Sequence, residues 1–294
     1  NKIGIDKWGD IALGNEVGIF VAWSSGNIIG PDNLIEGNTS HGIELYQATD
    51  TTISNNLIGN CWQTQVGNGG DGVHLHPVHG STVIEVNNLC FNNGNGLWMG
   101  SGSATIQGNL VALNGQDGIE LSGINNLNST IGGVSEDERN TIGKNGSNGI
   151  HLNGASSSTI LNNYIGIRWE GAYDLGNGGH GILIENGSYG NVIGGTNPDE
   201  GNLIAYNDEY GIKLQDSNTH DNEIYGNTFG APINWEWEAG NGKHGIGIYD
   251  GAHHNIVGSN TPGAGNIILA SGWSGVVIQN GSGNKIEGNY IGTN

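Results

Sequence analysis

A five-residue phrase recurs along the whole chain: a glycine, an aliphatic residue, any residue, a second aliphatic residue and any residue. It occurs as GIFVA (18–22), GIELY (42–46), GVHLH (72–76), GLWMG (96–100), GIELS (118–122), GIHLN (149–153), GILIE (181–185), GIKLQ (211–215), GIGIY (245–249) and GVVIQ (275–279). A second element, of the form N-x-I-x-x-N-x-I, precedes each phrase, as in TTISNNLIGN. Such self-similarity is the signature of a repeat architecture.

Each repeat contains about three short stretches in which aliphatic and polar residues alternate, and Gly, Asn and Asp turns separate them. One repeat cannot bury its aliphatic face alone, but coils stacked at a strand spacing of about 4.8 Å can. We therefore predict an all-β solenoid, a single-stranded parallel β-helix of about ten coils that forms one domain over residues 1–294. A sandwich or a propeller would require antiparallel turn signals and a steadier period.

The composition narrows the choice of partners. Fifty-six glycines and evenly spread aliphatic residues indicate a repetitive β chain rather than disorder. The formal charge of −20, from 28 acidic and 8 basic residues, argues against nucleic acid as a partner. No apolar run approaches the roughly 20 residues that span a membrane, and no signal peptide precedes Asn1, so we expect a soluble, processed or excised segment.

Several coils resemble those of bacterial secreted and cell-surface right-handed parallel β-helix proteins. The segments that carry the resemblance are LGNGGHGILIENG (175–187), NVIGGTNPDEGNLIAYNDEYGIKLQ (191–215) and GNYIGTN (288–294). The resemblance covers essentially the whole chain and implies a right-handed coil and an extracellular or cell-surface location. It does not choose a function, because lyases, hydrolases, epimerases, adhesins and stalks share such coils.

The two ends of the chain fall at the same phase of the repeat. Neither end shows an amphipathic capping helix, which terminal coils normally need. We expect either a segment cut from a longer helix or axial stacking of copies on one another, with a rise of about 48 Å for ten coils.

The two variable positions of each phrase should point outward and form two columns across the stacked coils. The first column is Phe20, Glu44, His74, Trp98, Glu120, His151, Leu183, Lys213, Gly247 and Val277. The second column is Ala22, Tyr46, His76, Gly100, Ser122, Asn153, Glu185, Gln215, Tyr249 and Gln279. Chemically versatile side chains are concentrated in the second to sixth coils of the first column.

His74 and His76 flank the inward Leu75 on one strand, so their imidazoles should lie about 7 Å apart on one face. That spacing allows both to reach one Zn²⁺, with Glu44 of the neighbouring coil as a third ligand. The alternative is that they are solvated polar residues on a β-ladder. No cofactor is predicted.

If the protein is an enzyme, the candidate catalytic residues are Glu44, His74, Glu120 and His151. Glu44 and Glu120 are three coils apart, about 14 Å, which exceeds the usual carboxylate separation of a glycosidase, about 5–9.5 Å. Glu120 with Asp117, or Glu44 with Asp71, would be closer. Because Lys213 lies two coils beyond His151, no cation is placed to neutralise a uronate, and a hydrolase is favoured over a lyase.

Aromatic residues are candidates for contact with sugar rings. They are Tyr46 and Trp98 in the columns, and Trp62, Trp169, Trp235 and Trp237 in insertions between strands. Packing of the insertions on the coil wall or against a neighbouring molecule explains the insertion tryptophans equally well.

The cysteines and asparagines are predicted to be structural. Counting places Cys90 in an inward aliphatic column with Ile35, Ile58, Val111 and Ile142, and Cys61 in a column with Asn38, Asn93, Asn114 and Asn145. We expect a ladder of asparagine side chains in that column and a buried, unreactive Cys90, since a disulfide would require a change of register.

Two functional hypotheses follow. The first is an extracellular structural or adhesive element, a stalk or fibre unit that contacts glycans. The second is a polysaccharide-active enzyme that uses the outward face between Glu44 and His151.

Overall fold

The computed structural model describes residues 1–6, 11–61, 66–77, 80–123, 128–168, 174–230 and 239–292. Within these ranges, 31 short strands, numbered β1 to β31 along the chain, form three parallel sheets. Each coil contributes one strand to each sheet, and each strand pairs with the strand three positions later in the chain. The predicted right-handed parallel β-helix of about ten coils is confirmed.

The strands of sheet 1, in spatial order, are β1 (Lys2–Ile3), β4 (Leu34–Ile35), β7 (Leu57–Ile58), β10 (Asn88–Cys90), β13 (Leu110–Ala112), β16 (Thr141–Gly143), β19 (Tyr164–Ile165), β22 (Leu203–Ile204), β25 (Thr228–Phe229), β28 (Ile267–Ile268) and β31 (Tyr290–Ile291). Those of sheet 2 are β2 (Ile19–Ala22), β5 (Ile43–Tyr46), β8 (Val73–Leu75), β11 (Leu97–Met99), β14 (Ile119–Ser122), β17 (Ile150–Asn153), β20 (Ile182–Glu185), β23 (Ile212–Leu214), β26 (Ile246–Tyr249) and β29 (Val276–Gln279). Those of sheet 3 are β3 (Ile28–Ile29), β6 (Thr52–Ser54), β9 (Thr82–Glu85), β12 (Ala104–Gln107), β15 (Thr130–Gly132), β18 (Thr159–Leu161), β21 (Val192–Gly194), β24 (Glu223–Tyr225), β27 (Ile256–Val257) and β30 (Lys285–Ile286). Among the described residues, the helical structure is a single 3₁₀ turn, Glu136–Glu138.

The core is a stack of aliphatic side chains in register. Ile119 of β14 pairs with Ile150 of β17, and Leu121 pairs with Leu152, so like residues lie over like along the axis. All four side chains are fully buried. Burial of one such side chain is worth about 1.5–3 kcal/mol, and every coil adds several to one continuous cluster.

Asparagine ladders close the corners between the sheets. In a typical step, the Nδ2 of Asn114 donates to the Oδ1 of Asn145 (3.0 Å) and to the backbone oxygen of Leu89 (2.9 Å). The Oδ1 of Asn145 also accepts the backbone N–H of Asn114, at 3.2 Å. The longest ladders are Asn33, Asn56, Asn87, Asn109, Asn140, Asn163, Asn202, Asn227, Asn266 and Asn289, and Asn38, Asn68, Asn92, Asn114, Asn145, Asn177, Asn207 and Asn241. The predicted ladder is present.

Cys90 is buried as predicted, but its predicted column and its predicted unpaired state are wrong. Leu89, rather than Cys90, pairs with Ile58 and Val111 in the inward column, and Cys90 forms a disulfide with Cys61. The reason is that the chain leaves the coil after Asn60, so that Cys61 lies in an insertion. Asn68 and Asn92 hold the ladder positions that counting along the sequence assigned to Cys61 and Asn93.

The first and last coils expose aliphatic side chains of types that are buried elsewhere. Ile278 of β29 and Ile291 of β31 are 43% and 42% exposed, respectively. Axial stacking of copies stays a prediction. Among the described residues, no helix has the length and apolar character needed to cross a membrane.

The inward and outward positions should differ sharply in their tolerance of substitution. Ile119→Asp would bury an unpaired charge in the aliphatic stack and should lower the free energy of unfolding by several kcal/mol. His76→Ala, at an outward side chain that is 38% exposed, should change it by less than about 1 kcal/mol. Urea unfolding of both variants is the measurement, and equal losses would contradict the assignment of faces.

The disulfide should contribute measurably to stability. The two cysteines are 29 residues apart, and the loop-entropy estimate for a link of this length is about 3.6 kcal/mol. The double variant Cys61→Ser/Cys90→Ala should therefore unfold at a lower urea concentration than the oxidised protein. Reduction of the wild-type protein should give a similar shift, and unchanged unfolding midpoints in both cases would refute the contribution.

Candidate functional site

Polar and aromatic side chains are concentrated on the outward face of sheet 2. The backbone pairing confirms the predicted order of the first column, since Glu44 pairs with His74, His74 with Trp98, Trp98 with Glu120 and Glu120 with His151. Each of these residues lies between two inward aliphatic neighbours on its own strand. The strict alternation of the phrase therefore places one of these side chains in every coil.

A third column of side chains borders this face. It was not recognised as a column in the sequence analysis, although two of its members, Asp71 and Asp117, were named there. It consists of the residue that precedes each glycine of the phrase, and members of the column accept a hydrogen bond from the backbone N–H of the next member. The accepting residues are His41, Asp71, Asn95, Asp117, Asn148, His180 and His244. The available signal was a polar residue immediately before nearly every one of these glycines.

Cluster 1 comprises Glu44, Asp71, His74 and His76. The Nδ1–H of His74 donates to Asp71 Oδ2 (2.6 Å), and the Nε2 atoms of His74 and His76 are 3.0 Å apart. The Nε2 of His76 also lies 3.7 Å from Glu44 Oε1. Burial, followed by the neighbouring His74, holds the pKa of His76 below its usual value. The cluster thus links two imidazoles to two carboxylates.

Aromatic rings fix the orientation of His74. Its ring stacks between those of His41 and Trp98, with centroid distances of 4.1 and 4.3 Å, respectively. Trp98 lies over Gly100, where a Cβ atom would come within 2.4 Å of the indole. Tyr46 contacts His76 edge-on at 5.6 Å. Glycine at position 100 therefore provides the space that allows Trp98 to stack on His74.

Cluster 2 comprises Asp117, Glu120, His151 and Glu185. The Nδ1 of His151 contacts Asp117 Oδ2 (3.0 Å) and its Nε2 contacts Glu185 Oε1 (3.1 Å). Burial lowers the pKa of His151, but the hydrogen bond to Asp117 and the surrounding carboxylates outweigh it, and the net pKa is raised. For Asp117, burial raises the pKa, but the hydrogen bonds from His151 and Ser147 lower it further. The contacts of His151 thus favour its protonated form.

Glu120 is bound differently from Asp117. Its two oxygens accept hydrogen bonds from neutral amides, at 3.2 Å from Asn95 Nδ2 and 3.0 Å from Asn153 Nδ2. Its side chain is half-buried, whereas Asp117 is only 7% exposed. Ligand atoms of Asp117, Glu120 and His151 lie within 4.8 Å of one another, as do those of His41, Asp71 and His74, so both groups have metal-ligating geometry.

The later coils of the same face carry cations and phenols. Lys213 Nζ lies 5.6 Å from the ring centroid of Tyr210 and 5.7 Å from that of Tyr249. The hydroxyl of Tyr210 donates to that of Tyr249 at 3.2 Å, and burial, followed by this bond, raises the pKa of Tyr249. Burial, with help from Lys213, lowers the pKa of His180 to about 4. This end of the face differs in charge from clusters 1 and 2.

Comparison with models of protein families identifies the family, because the match extends over most of the chain. The family model of the right-handed β-helix region matches residues 10–165 and 71–262. The chain belongs to the right-handed β-helix family. A search of curated protein sequences gives no match.

Solved structures of β-helix proteins include three similar folds. A mutant of the periplasmic alginate epimerase AlgG is 16% identical with a TM-score of 0.55, and the match covers 90% of this chain and 50% of that chain. The A-module of the mannuronan C-5 epimerase AlgE4 from Azotobacter vinelandii is 17% identical with a TM-score of 0.53, covering 93% and 73%. The Dettilon tailspike protein is 14% identical with a TM-score of 0.51, covering 92% and 61%. At these identities the likeness shows the fold alone, and this chain spans only half the length of the AlgG chain.

The β-helix brings most of the predicted site residues together. Glu44, Tyr46, His74, His76 and Trp98 form one contiguous group, and Glu120 and His151 belong to cluster 2 in the next coils. Trp62, Trp169, Trp235 and Trp237 lie outside the described residues, so their contact with glycans stays a prediction. Two closer carboxylate pairs were named in the sequence analysis. In one of them, Asp117 with Glu120, the structure places the carboxylate oxygens within 4.8 Å of each other.

The pKa values of two histidines on this face, His180 and His151, should be shifted in opposite directions. Nuclear magnetic resonance of the imidazole nitrogens should show His180 neutral down to a pKa of about 4, with its Nδ1 unprotonated because that atom accepts the N–H of Tyr210. His151 should stay protonated on both nitrogens above its usual range. Equal pKa values for the two rings would contradict the described contacts.

The sign of the effect on stability follows from linkage. The pKa of His180 is lower in the folded than in the unfolded protein, so stability should fall as the pH drops from about 6.5 towards 4. For His151 the folded pKa is raised, so its contribution is complete below the unfolded pKa and is lost as the pH rises through the folded pKa. His180→Gln should weaken the first dependence, of which His76 supplies a further part, and leave the second unchanged.

Proposed function

We propose that the protein is a polysaccharide hydrolase whose active site is cluster 2 on the outward face of sheet 2. The observation that carries this proposal is the pair of carboxylates Asp117 and Glu120, whose oxygens lie within 4.8 Å of each other at the outward face of sheet 2, with Glu120 partly exposed and Asp117 buried beside it. Retaining glycosidases place their two carboxyl groups about 5–5.5 Å apart, and inverting enzymes place them farther apart. The pair therefore fits a retaining mechanism.

The environments of the two carboxyl groups suit different roles. Asp117 has a lowered pKa and is ionised at neutral pH, as a nucleophile must be. Glu120 is more exposed than Asp117, so its carboxyl group can reach a glycosidic oxygen, and we assign it the role of general acid. In the first step Asp117 forms an ester with the anomeric carbon as the glycosidic C–O bond breaks, and Glu120 protonates the departing oxygen, so that one part of the polymer leaves as an alcohol. In the second step Glu120 removes a proton from water, which attacks that carbon and releases Asp117.

His151 and Glu185 position the nucleophile. His151 bonds to Asp117 through Nδ1 and to Glu185 through Nε2, so the imidazolium is fixed at both ends. Gln215 donates to the other oxygen of Glu185 and fixes that carboxylate in turn. The resulting chain of hydrogen bonds along the axis holds the Asp117 side chain in one orientation, which preorganised catalysis requires.

The surrounding face suits a neutral glycan. Trp98, one coil before Glu120, and Tyr46 offer aromatic surface for sugar rings, and Asn95 and Asn153 offer amides for hydroxyl groups. The many carboxylates and the net charge of −20 would repel a polyuronate. Among the structural neighbours are epimerases of alginate and mannuronan, which supports a polysaccharide as the substrate class. We place the protein outside the cytoplasm, in the extracellular space, at the cell surface or in the periplasm.

A reducing-end assay over a panel of neutral polysaccharides tests this function. We expect cleavage of at least one polymer, with the first-formed sugar retaining its anomeric configuration. Glu120→Gln should lower the rate at least about a hundredfold while binding of the polymer is kept. The matched control is Glu85→Gln, which changes an outward glutamate of sheet 3 that also bonds to an amide, that of Gln107, and it should cleave at the wild-type rate.

Three outcomes would count against the proposal. A product with inverted anomeric configuration would contradict the assignment of Asp117 as the nucleophile. Full activity of Glu120→Gln would contradict the assignment of Glu120 as the general acid. Binding of glycans without cleavage of any polymer would favour the other hypothesis, an adhesive stalk or fibre unit.

A further inference from the structure

The two histidines of cluster 1 face each other through the same type of atom. His74 of strand β8 and His76, which directly follows the strand, lie on the same outward face on either side of the buried Leu75. Their Nε2 atoms are 3.0 Å apart. In a tetrahedral site with Zn–N bonds of about 2.0–2.1 Å, two ligand nitrogens lie roughly 3.3 Å apart. The observed separation is within a few tenths of an ångström of that value.

The location of the protons shows which atom a metal ion would replace. A carboxylate can only accept a hydrogen bond, so the 2.6 Å contact of Asp71 Oδ2 favours the tautomer of His74 with a hydrogen on Nδ1. The Nε2 of a neutral His74 therefore carries a lone pair, and His76 Nε2 supplies the single hydrogen between the two rings. A metal ion in place of that hydrogen would meet two lone pairs directed at one point.

Two carboxylates lie next to the pair, Glu44 beside His76 and Asp71 beside His74. Glu44, on the adjacent strand β5, places Oε1 3.7 Å from the Nε2 of His76. Asp71 bonds to the nitrogen of His74 that faces away from the pair, which is the usual arrangement of a carboxylate that orients a metal-bound histidine. His74 is further fixed by stacking between His41 and Trp98.

We propose that His74 and His76 bind a divalent transition metal ion of the zinc type through their Nε2 atoms, with Glu44 as third ligand and Asp71 as the orienting carboxylate. Two imidazoles and one carboxylate suit Zn²⁺, and three protein ligands leave one coordination position for water. The site is separate from the Asp117–Glu120 pair and does not depend on the proposed hydrolysis.

His41 is the competing ligand. Its ring nitrogen lies within metal-ligating distance of Asp71 and His74. The Nδ1 of His41, however, already accepts the backbone N–H of Asp71 at 3.0 Å, and Asp71 Oδ1 accepts the N–H of Asn95 at 2.7 Å. A metal bound through His41 Nδ1 would have to break the first of these hydrogen bonds, and one bound through Asp71 Oδ2 would have to displace the contact with His74 Nδ1, whereas the His74–His76 pair would lose only its shared hydrogen.

The test is a titration of the chelator-treated protein with Zn²⁺ by calorimetry and with Co²⁺ by visible absorption. We expect one equivalent to bind, and the Co²⁺ spectrum to show tetrahedral nitrogen and oxygen coordination. His76→Ala and His74→Ala should each abolish this binding, and Glu44→Gln and Asp71→Asn should weaken it at least about tenfold. Thermal unfolding of each metal-free variant shows whether it remains folded.

Two controls separate this site from adventitious binding. His220→Ala, which removes a partly exposed histidine of another face, should bind metal as the wild-type protein does. His41→Gln should also keep the tetrahedral Co²⁺ spectrum. Absence of Zn²⁺ and Co²⁺ binding in the wild-type protein, or undiminished binding in His74→Ala/His76→Ala, would overturn the proposal, as would loss in His41→Gln with retention in His76→Ala. Because the readout is metal binding, its failure is distinguishable from failure of the proposed hydrolysis.

Discussion

Hydrogen bonds between asparagine side chains of successive coils determine the register of this structure. Every coil turns three times, and each turn buries backbone polar groups that must find partners. A ladder asparagine satisfies several at once, as Asn114 does through Asn145 and Leu89. A slip of one residue would break all of these bonds in the coil together. The outward columns of sheet 2 are therefore locked at one residue per coil, and the site inherits its geometry from the corners of the coil.

The ladder also explains why insertions of different length leave the sheets unchanged. The chain departs after Asn60 and rejoins the coil at Asn68, whose side chain bonds to Asn38 on one side through its oxygen and to Asn92 on the other through its Nδ2. An asparagine at the point of return is sufficient to restore the register. Insertions can consequently vary around the sheet 2 face while the strands that carry clusters 1 and 2 stay aligned.

The sequence predicted the order of the outward residues because the phrase itself defines the face. Alternation about the buried Leu75 or Ile119 leaves only one direction for His74 or Glu120. The third column was missed because its members, such as Asp71 and Asp117, precede the strands and share no residue type. The disulfide was missed because the point at which an insertion leaves the coil, and hence the column of Cys61, cannot be obtained by counting.

Contacts between side chains could not be predicted from the sequence, for a different reason. Two histidines of neighbouring columns on this face behave in opposite ways, since His151 lies between two carboxylates and His180 lies near Lys213 with its Nδ1 accepting a backbone N–H. The rotamer that turns His74 towards Asp71 depends on stacking against His41 and Trp98. These arrangements depend on neighbouring residues from other coils. The sequence of a single repeat therefore does not predict them.

The proposed hydrolysis requires a neutral glycan to lie across sheet 2 with its scissile bond at cluster 2. The decisive measurement is a crystal structure of the Glu120→Gln protein with a bound oligosaccharide of the cleaved polymer. We expect a sugar ring against Trp98, a glycosidic oxygen within hydrogen-bond distance of residue 120 and an anomeric carbon facing Asp117. An oligosaccharide bound on sheet 1 or sheet 3, or on sheet 2 away from Asp117, would contradict it.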